Sequence, residues 1–308
     1  MFKKIIKEIC DEENINYSVI SKDWIIVLEK NGKVNLITGY KFGINNHALG
    51  ELLDDKYATF ELLSKKNIPV IEHSILYGPT NNNPYAVGSK GRECVEELFE
   101  KYNKNVVLKI NDGTCGINVW HIKNKEELIK QYENLSQKYF SMSLCPYYDI
   151  ENEYRAVVVS GKVELLYKKI KPVVSGDGKS TIKELLTSFN SEYFKDIKNN
   201  DWDRVLEKDK LYEYDWRFNL AKGSKASFEI DENLKDDIVN LAEDISRKIG
   251  LGFGSIDIIK TTDNKLFVME INSGVMMENF VKQVPDGYKI AKNIYKKVIK
   301  SYDWGEPR

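Results

Sequence analysis

The segment GSIDIIKTTDNKLFVMEIN, residues 254–272, is the most informative about the fold. Two apolar-rich runs flank the dipeptide Asp263-Asn264, which is typical of a tight turn. The stretch therefore predicts a β-hairpin with strands over 253–261 and 265–271.

The hairpin register predicts a pair of facing carboxylates. If the turn has two residues, Asp257 lies directly opposite Glu270, and Ser255 lies opposite Asn272 on the same side. The other face is apolar in this register and carries four side chains, Ile256, Ile258, Met269 and Ile271. Like charges at opposed positions repel, so the pair is costly unless a cation lies between the two groups.

A divalent cation would resolve that repulsion. Two carboxylates and the amide of Asn272 offer only oxygen ligands, which match the preference of Mg²⁺ far better than that of Zn²⁺. A solvated hairpin face neutralised by Lys260 or Lys265 explains the same residues, because hairpin surfaces are often charged.

A second feature favours the metal. The strand predicted over 106–110 carries Lys109 and runs into a loop that contains Gly113 and Gly116. Small loop residues let backbone N–H groups approach phosphate oxygens, and a lysine on the strand adds a fixed positive charge. A glycine-bearing loop between strands is also the ordinary form of a hairpin.

The remaining elements predict an α+β protein with a cleft between subdomains. Among them are strands over 17–28 and 163–174 and a helix over 54–66. A polar, turn-rich segment at 78–84 marks a soft boundary. The expected division is an N-terminal region at 1–87, a small lid subdomain at 88–148 and a C-terminal subdomain with the metal site at 149–308.

Composition excludes several classes of protein. The chain has 308 residues, a length that predicts about two structural units. Hydrophobic residues make up 42% of the chain, as is usual for globular proteins. The 46 Lys and Arg against 47 Asp and Glu give a net charge of -1, so no global excess favours nucleic acid or an anionic membrane. Any anionic ligand must be held locally.

The cysteines and the N-terminal residues lead to an expectation of a cytoplasmic protein. The four cysteines are far apart in sequence and form no C-x-x-C, so neither a zinc site nor a disulfide framework is expected. The acidic N-terminal segment does not resemble a signal peptide, and no apolar run reaches the ~20 residues of a membrane span.

Two glycine-rich segments resemble nucleotide-binding motifs but do not have the glycine spacing that these motifs require. Gly178-Lys179-Ser180 ends like a phosphate-binding P-loop, but Val173 stands where the first glycine belongs. The segment GLGFGS at 250–255 begins like a dinucleotide fingerprint, but Ser255 replaces the third glycine and the segment follows a predicted helix. Neither segment is therefore interpreted as a P-loop or a dinucleotide-binding motif.

Five pieces between Asp54 and Asn279 resemble, in order and spacing, the ATP-grasp superfamily. The likeness is strongest to the branch that contains cyanophycin synthetase, bacterial glutathione synthetase and the ligases that add glutamate to a ribosomal protein. The pieces are DKYAT at 55–59 ahead of IPV at 68–70, Lys109 with its glycine loop, EYR at 153–155, VSGDGKSTIKEL at 174–185, and RFNLAKG at 217–223 ahead of Asp257, Glu270 and Asn272.

The resemblance implies the α+β ATP-grasp fold and an ATP- and Mg²⁺-dependent ligase, which activates a carboxylate as an acyl phosphate and lets an amine displace the phosphate. Mn²⁺ is expected to be able to replace Mg²⁺. The implied nucleotide contacts are Lys56, Lys109, Asp112, Gly113, Gly116, Pro146, Tyr147 and Tyr148 at the adenine hinge, Glu153 as the ribose-binding acid, and Lys169. The implied catalytic residues are Arg217 and Asn219, and the implied metal ligands are Asp257, Glu270 and Asn272.

The chain departs from the pattern of this family in the glycine loop and on the acceptor side. Asn118 stands where relatives often have a second loop glycine, Ser224 replaces a glycine after the Arg-x-Asn element, and residues 275–277 replace a proline that frequently follows the metal-binding Asn. Cys115 lies in the glycine loop, but no histidine is near it in sequence, which favours a packing role over a nucleophile.

Two other functions compete with the ligase. A small-molecule kinase of similar fold would use the same metals and lysines, and a non-catalytic regulator would only bind nucleotide. Arg217 and Asn219 favour the ligase. The expected partners are small-molecule or peptide carboxylates and amines, with no nucleic acid and no membrane, and a homo-oligomer is left open.

Overall fold

The computed structural model describes residues 1–82, 84–86, 88–114, 116–187 and 201–305. Within these ranges, helices pack on antiparallel sheets, which is the α+β arrangement that the sequence predicts. None of the helices in the described ranges combines the length and apolarity needed to span a bilayer.

In the longer helices apolar residues recur every three or four positions, so that one face of each helix is buried. The helices are α1 (Phe2–Glu13), α2 (His47–Asp54), α3 (Lys56–Lys65), α4 (Arg92–Lys101), α5 (Lys125–Ser136), α6 (Ile182–Thr187), α7 (Glu232–Ile249), α8 (Glu278–Gln283) and α9 (Gly287–Lys300).

The strands are β1 (Asn16–Ile20), β2 (Ile25–Lys30), β3 (Lys33–Thr38), β4 (Lys41–Phe42), β5 (Ser74–Tyr77), β6 (Val106–Ile110), β7 (Val119–Ile122), β8 (Ser141–Pro146), β9 (Ile150–Val159), β10 (Lys162–Ile170), β11 (Val173–Ser175), β12 (Leu211–Glu213), β13 (Lys225–Ser227), β14 (Phe253–Thr261) and β15 (Leu266–Asn272).

Three predicted elements are wrong in extent. The strand over 17–28 is two strands, because residues 21–23 adopt positive φ and turn the chain between β1 and β2. The strand over 163–174 is interrupted beside Pro172, which has no N–H to donate to a ladder. The helix over 54–66 begins at Lys56, because the Asp55 carboxylate accepts the Ala58 N–H and caps it.

The central sheet has the strand order β13-β10-β9-β14-β15. Its side chains alternate between two faces, as the period of a strand requires. One face packs on α7 through the buried Ala156, Ile256 and Val268. The opposite face is apolar where α1 and α9 cover it, at Val157 and Phe253, and its uncovered part lines a cleft.

The N-terminal residues share that second core. A small antiparallel sheet with the order β1-β2-β3-β4 packs beside α1. Ile6 and Ile9 of α1 and Ile26 of β2 are buried together with Tyr295 of α9. The N-terminal helix and the last helix are therefore built into one core.

The lid sheet has the order β5-β8-β6-β7, and α4 and α5 pack on it. Ser74–Tyr77 pairs with β8, so this sheet includes a strand that precedes residue 88. The division at 1–87, 88–148 and 149–308 stays a prediction.

The hairpin of β14 and β15 turns through three residues, not the predicted two. Thr261 donates its N–H to the carbonyl of Lys265 at 3.0 Å, and Asn264 adopts a φ of 63° within the loop. This turn shifts the register by one residue near the loop, so that Lys260 pairs with Leu266.

A β-bulge at Met269 restores the register. Ile258 pairs with Val268 while Asp257 pairs with Glu270, which leaves Met269 as the extra residue of β15. The predicted apolar position of Met269 is wrong, because Val268 takes the place in the core and Met269 lines the cleft.

Candidate active site

The lid sheet and the central sheet enclose a cleft of about 1110 Å³. Of the described residues predicted for the site, only Asp112 is exposed and does not line it. The others, drawn from segments far apart in sequence, all do: Lys56, Lys109, Gly113, Gly116, Pro146, Tyr147, Tyr148, Glu153, Lys169, Arg217, Asn219, Asp257, Glu270 and Asn272.

The carboxylate pair has the predicted register. Asp257 is opposite Glu270 and Ser255 is opposite Asn272, which confirms the arrangement read from the hairpin. Asp257 is buried, with 2% of its side chain exposed, whereas 29% of the Glu270 side chain is exposed. Glu270 is therefore the more accessible carboxylate of the pair.

Asp257 is neutralised by cations of the neighbouring strands. Arg155 lies opposite it on β9 and donates from Nε and NH2 to its two oxygens, each at 2.7 Å. Lys169 on β10 donates to Oδ2 at 3.0 Å. These contacts hold the pKa of Asp257 well below its usual range, although burial alone would raise it.

The two lysines that were expected to neutralise a solvated hairpin face have other partners. Lys260 is ion-paired with Glu151, and Lys265 is ion-paired with Asp263 at 2.6 Å. Neutralisation of the carboxylate pair by Lys260 or Lys265 is therefore wrong.

Glu153 completes a group of four charges on this face. It is 3% exposed, lies opposite Lys169 on the neighbouring strand and accepts a short hydrogen bond from the lysine Nζ. Burial raises the pKa of Glu153 to about 7, against the attraction of Lys169. Its role as a ribose ligand stays a prediction, since the structure shows it bound to this lysine.

Lys56 connects the glycine loop to Glu270. Its Nζ donates to the carbonyl oxygens of Gly113 at 2.6 Å and Asn111 at 3.2 Å, and it lies 3.9 Å from Glu270 Oε1. Burial lowers the pKa of Lys56, with Glu270 opposing the shift. A buried cation in this place is suited to meet an anion bound between the loop and Glu270.

Lys109 and the hinge residues line the lid side of the cleft. Lys109 lies on β6 opposite Ser143, and Pro146 ends β8 just before the chain passes into β9. Tyr147 stacks on His121, with ring centroids 3.9 Å apart and planes 9° apart. The hinge thus presents an aromatic surface to the cleft.

Arg217 is held by a residue that the sequence analysis missed. Asp215 has 2% of its side chain exposed and accepts from Arg217 Nε at 2.9 Å and NH2 at 2.8 Å. The NH1 group of Arg217 donates to the Gly116 carbonyl at 3.1 Å, as does Lys222 Nζ at 3.2 Å. The Asp-x-Arg spacing is the signal that could have identified Asp215.

The proposed metal ligands match the oxygen preference of Mg²⁺ in type, although both oxygens of Asp257 are bound by Arg155 and Lys169 in this structure. Asp257, Glu270 and Asn272 offer oxygen atoms only, on one face of paired strands, and Glu270 and Asn272 are partly exposed to the cleft. Among the described residues, no group of three or more His, Cys, Asp and Glu side chains is placed to hold a metal. The amide of Asn272 and the oxygens of bound phosphates would complete the coordination.

Two histidines of the described residues have ordinary hydrogen-bond partners. Cys115 lies outside the described residues. His73 is buried and hydrogen-bonded to Ser143 at 2.6 Å, and burial lowers its pKa. His121 bonds Asn105 at 2.7 Å.

Comparison with known proteins places the chain among ATP-grasp folds. Residues 206–299 match a model of the RimK-like ATP-grasp domain. The chain is 26% identical over 254 residues to the cyanophycin synthetase of Trichormus variabilis, in a match that covers 74% of this chain and 26% of that protein. It spans about a quarter of the length of this relative.

Solved structures agree on the fold. The D-alanine–D-alanine ligase of Bacillus anthracis superposes with a TM-score of 0.54 at 15% identity, over 83% of this chain and 67% of that one. A bifunctional glutathione synthetase of Pasteurella multocida gives 0.52 at 16% identity, over 93% and 42%. The predicted α+β ATP-grasp fold and the resemblance to this branch are confirmed.

Proposed function

We propose that this chain, which has the ATP-grasp fold, is an ATP- and Mg²⁺-dependent ligase that joins a carboxylate to an amine through an acyl phosphate. The observation that carries the proposal is the convergence of the predicted site residues, Asp112 excepted, on one cleft. Nothing in the packing of a core requires a strand lysine, a glycine loop, an Arg-x-Asn element and two facing carboxylates to share one cavity.

The proposed reaction has two steps. The substrate carboxylate attacks the γ-phosphorus of ATP, the bond to the β-phosphate oxygen breaks, and ADP leaves an acyl phosphate behind. The amine then attacks the acyl carbon, the C–N bond forms, a proton leaves the nitrogen and phosphate departs. Phosphoryl transfer depends on positioning and on neutralising phosphate charge more than on covalent work by side chains.

The described residues match these needs. Lys56 bonds the Gly113 carbonyl, Lys109 lies on β6 just before the same loop, and both line the cleft, so the two lysines would hold the phosphates. Mg²⁺ held by Asp257, Glu270 and Asn272 would supply further neutralisation of phosphate charge. Arg217, fixed by Asp215, would stabilise the acyl phosphate and the oxyanion formed by amine attack.

Trapping with hydroxylamine tests the proposal. The protein is incubated with ATP, Mg²⁺ and pools of amino acids or short peptides, with and without hydroxylamine, and both hydroxamate and ADP are measured. An acyl phosphate yields a hydroxamate, whereas a kinase releases ADP without one and a regulator releases neither. The absence of hydroxamate and ADP with every pool would contradict the ligase.

A lysine variant tests the nucleotide half of the site separately. Lys109→Met should remove most of the thermal stabilisation that ATP gives the wild type, because a fixed charge beside the phosphates is lost. Lys123→Met is the matched control, since Lys123 is exposed just after β7 and does not line the cleft. Unchanged stabilisation in Lys109→Met would count against the phosphate contact.

A further inference from the structure

Three large apolar side chains are exposed at one wall of the cleft. Trp24 is 60% exposed, Leu36 is 47% exposed and Met276 is 40% exposed, and all three line the cavity. Single apolar residues on a surface are ordinary, but several in one concavity indicate a ligand that covers them.

The fold holds these side chains in place. Leu36 lies on β3 opposite Val27, and Trp24 lies in the turn between β1 and β2. The indole of Trp24 packs over Gly39, where a Cβ would come within 3.0 Å of the ring. Gly39 has a φ of 60°, so a side chain there would be strained as well as crowded.

This apolar wall adjoins the metal end of the cleft. Lys41 of β4 pairs with Gly274, two residues after Asn272, and so joins the N-terminal sheet to the segment that carries Met276. Lys41 is also ion-paired with Asp54, which compensates its charge. A group bound at the wall would therefore lie near the segment that follows Asn272.

The cleft is slightly larger than the usual pocket for one drug-sized ligand. Its volume of about 1110 Å³ is above the range of roughly 300–1,000 Å³ that is usual for one drug-sized ligand. The proposed nucleotide contacts come mainly from the lid strands and the hinge, whereas Trp24 and Leu36 come from the N-terminal sheet. The apolar wall is left for the second ligand.

We infer that the carboxylate or amine substrate carries a large aliphatic or aromatic group, which binds against Trp24, Leu36 and Met276. The inference rests on the proposed function and adds a substrate class to it. The occupant is an amino acid or short peptide with a bulky apolar side chain. Small or charged substrates would leave the wall in water and gain nothing from it.

Binding and turnover are measured separately. Thermal stabilisation is recorded with Mg²⁺, a non-hydrolysable ATP analogue and a panel of leucine, phenylalanine, leucyl-leucine and phenylalanyl-leucine against glycine, serine, aspartate and glycyl-glycine. ADP release is recorded with ATP and the same panel. The apolar members should stabilise the protein and release ADP at concentrations at least about tenfold below those of the polar members.

Matched variants locate the site. Leu36→Ser and Trp24→Ser should each raise the half-saturating concentration of the apolar members about tenfold, with stabilisation by the ATP analogue unchanged. Ile20→Ser is the control, because Ile20 is 51% exposed on the same small sheet but does not line the cleft.

The outcomes separate the inference from the proposed function. Binding of apolar members without ADP release would contradict the ligase and support the apolar site. Turnover of polar members alone, or no binding by any apolar member, would overturn the apolar site. An equal effect of Ile20→Ser, with dissociation of a dimer on size exclusion, would show a contact between two copies and would also overturn it.

Discussion

Two carboxylates and two cations alternate on the open part of the central sheet. Asp257, Arg155, Lys169 and Glu153 come from three neighbouring strands and bond one another. Each buried charge has an opposite charge within hydrogen-bonding distance, which is the condition under which charges can be buried. The group gives Asp257 a fixed position and leaves Glu270 accessible.

Glu153 makes folding stability depend on pH. Because burial raises its pKa from 4.5 to about 7, the folded state keeps a proton between these values that the unfolded state has released. Stability therefore falls as pH rises through this window, and Glu153→Gln avoids the fall. The stability of the variant relative to wild type should increase by about 2 to 3 kcal/mol from pH 4.5 to 7.5 in urea unfolding. A pH-independent difference would show that Glu153 titrates normally.

Asp215 is predicted to act as a positioning residue for Arg217. Asp215→Asn removes the charge that holds the guanidinium, so kcat should fall about 10- to 100-fold, while KM for ATP and stabilisation by the ATP analogue stay within about twofold. Glu213→Gln is the control, because Glu213 is largely exposed on the same segment and pairs with Lys171. A wild-type kcat in Asp215→Asn would contradict this role.

At the level of elements, the β14–β15 hairpin shows what the sequence could predict. The pairing of Asp257 with Glu270 was predicted from a two-residue turn, although the turn has three residues. The bulge at Met269 cancels the error. The spacing of the apolar residues predicts neither the three-residue turn nor the bulge, because a bulge leaves most of the alternation of apolar and polar residues intact.

The pairing of strands that are far apart in the chain could not be predicted from the sequence. Arg155 and Asp257 are 102 residues apart, and only the pairing of β9 with β14 brings them together. The helix α2 (His47–Asp54) was missed because it is short, and α8 (Glu278–Gln283) for the same reason. The site residues were predictable from motif resemblance, whereas their ion partners required the sheet order.

Gly254 allows β14 to approach β15 beside Asn272, one of the proposed metal ligands. A Cβ on Gly254 would lie 2.7 Å from the Asn272 carbonyl oxygen and 3.0 Å from Leu251. Gly254→Ala should therefore destabilise the protein by about 1–3 kcal/mol and weaken Mg²⁺-dependent turnover, as measured by urea unfolding and ADP release.

The control for this substitution is a second glycine. Gly50 lies within α2, and the nearest atom to its added Cβ is Ser273 Oγ at 4.0 Å. Gly50→Ala should be neutral or stabilising by up to about 1 kcal/mol, because alanine favours a helix. Equal stabilities for the two variants would show that the Gly254 contact can relax freely.

At the scale of the whole molecule, the cleft depends on a core shared by the two ends of the chain. Ile9 of α1 and Ile299 of α9 are buried in one cluster with Phe253 of β14. Lys292 and Lys296 of α9 pair with acidic residues of α1 across this contact. The N-terminal sheet is thereby fixed beside the segment that follows Asn272, where it supplies the apolar wall.

The carboxylates of the β14–β15 hairpin are proposed to hold a nucleotide-bound cation. Mn²⁺ serves as the probe, and its affinity is measured by electron paramagnetic resonance with a non-hydrolysable ATP analogue bound. Glu270→Gln should weaken Mn²⁺ binding about tenfold or more, because one anionic ligand is lost. Glu151→Gln, which changes an exposed ion pair with Lys260 on the same sheet, should leave the affinity unchanged. Equal Mn²⁺ affinity in wild type and Glu270→Gln would contradict the account.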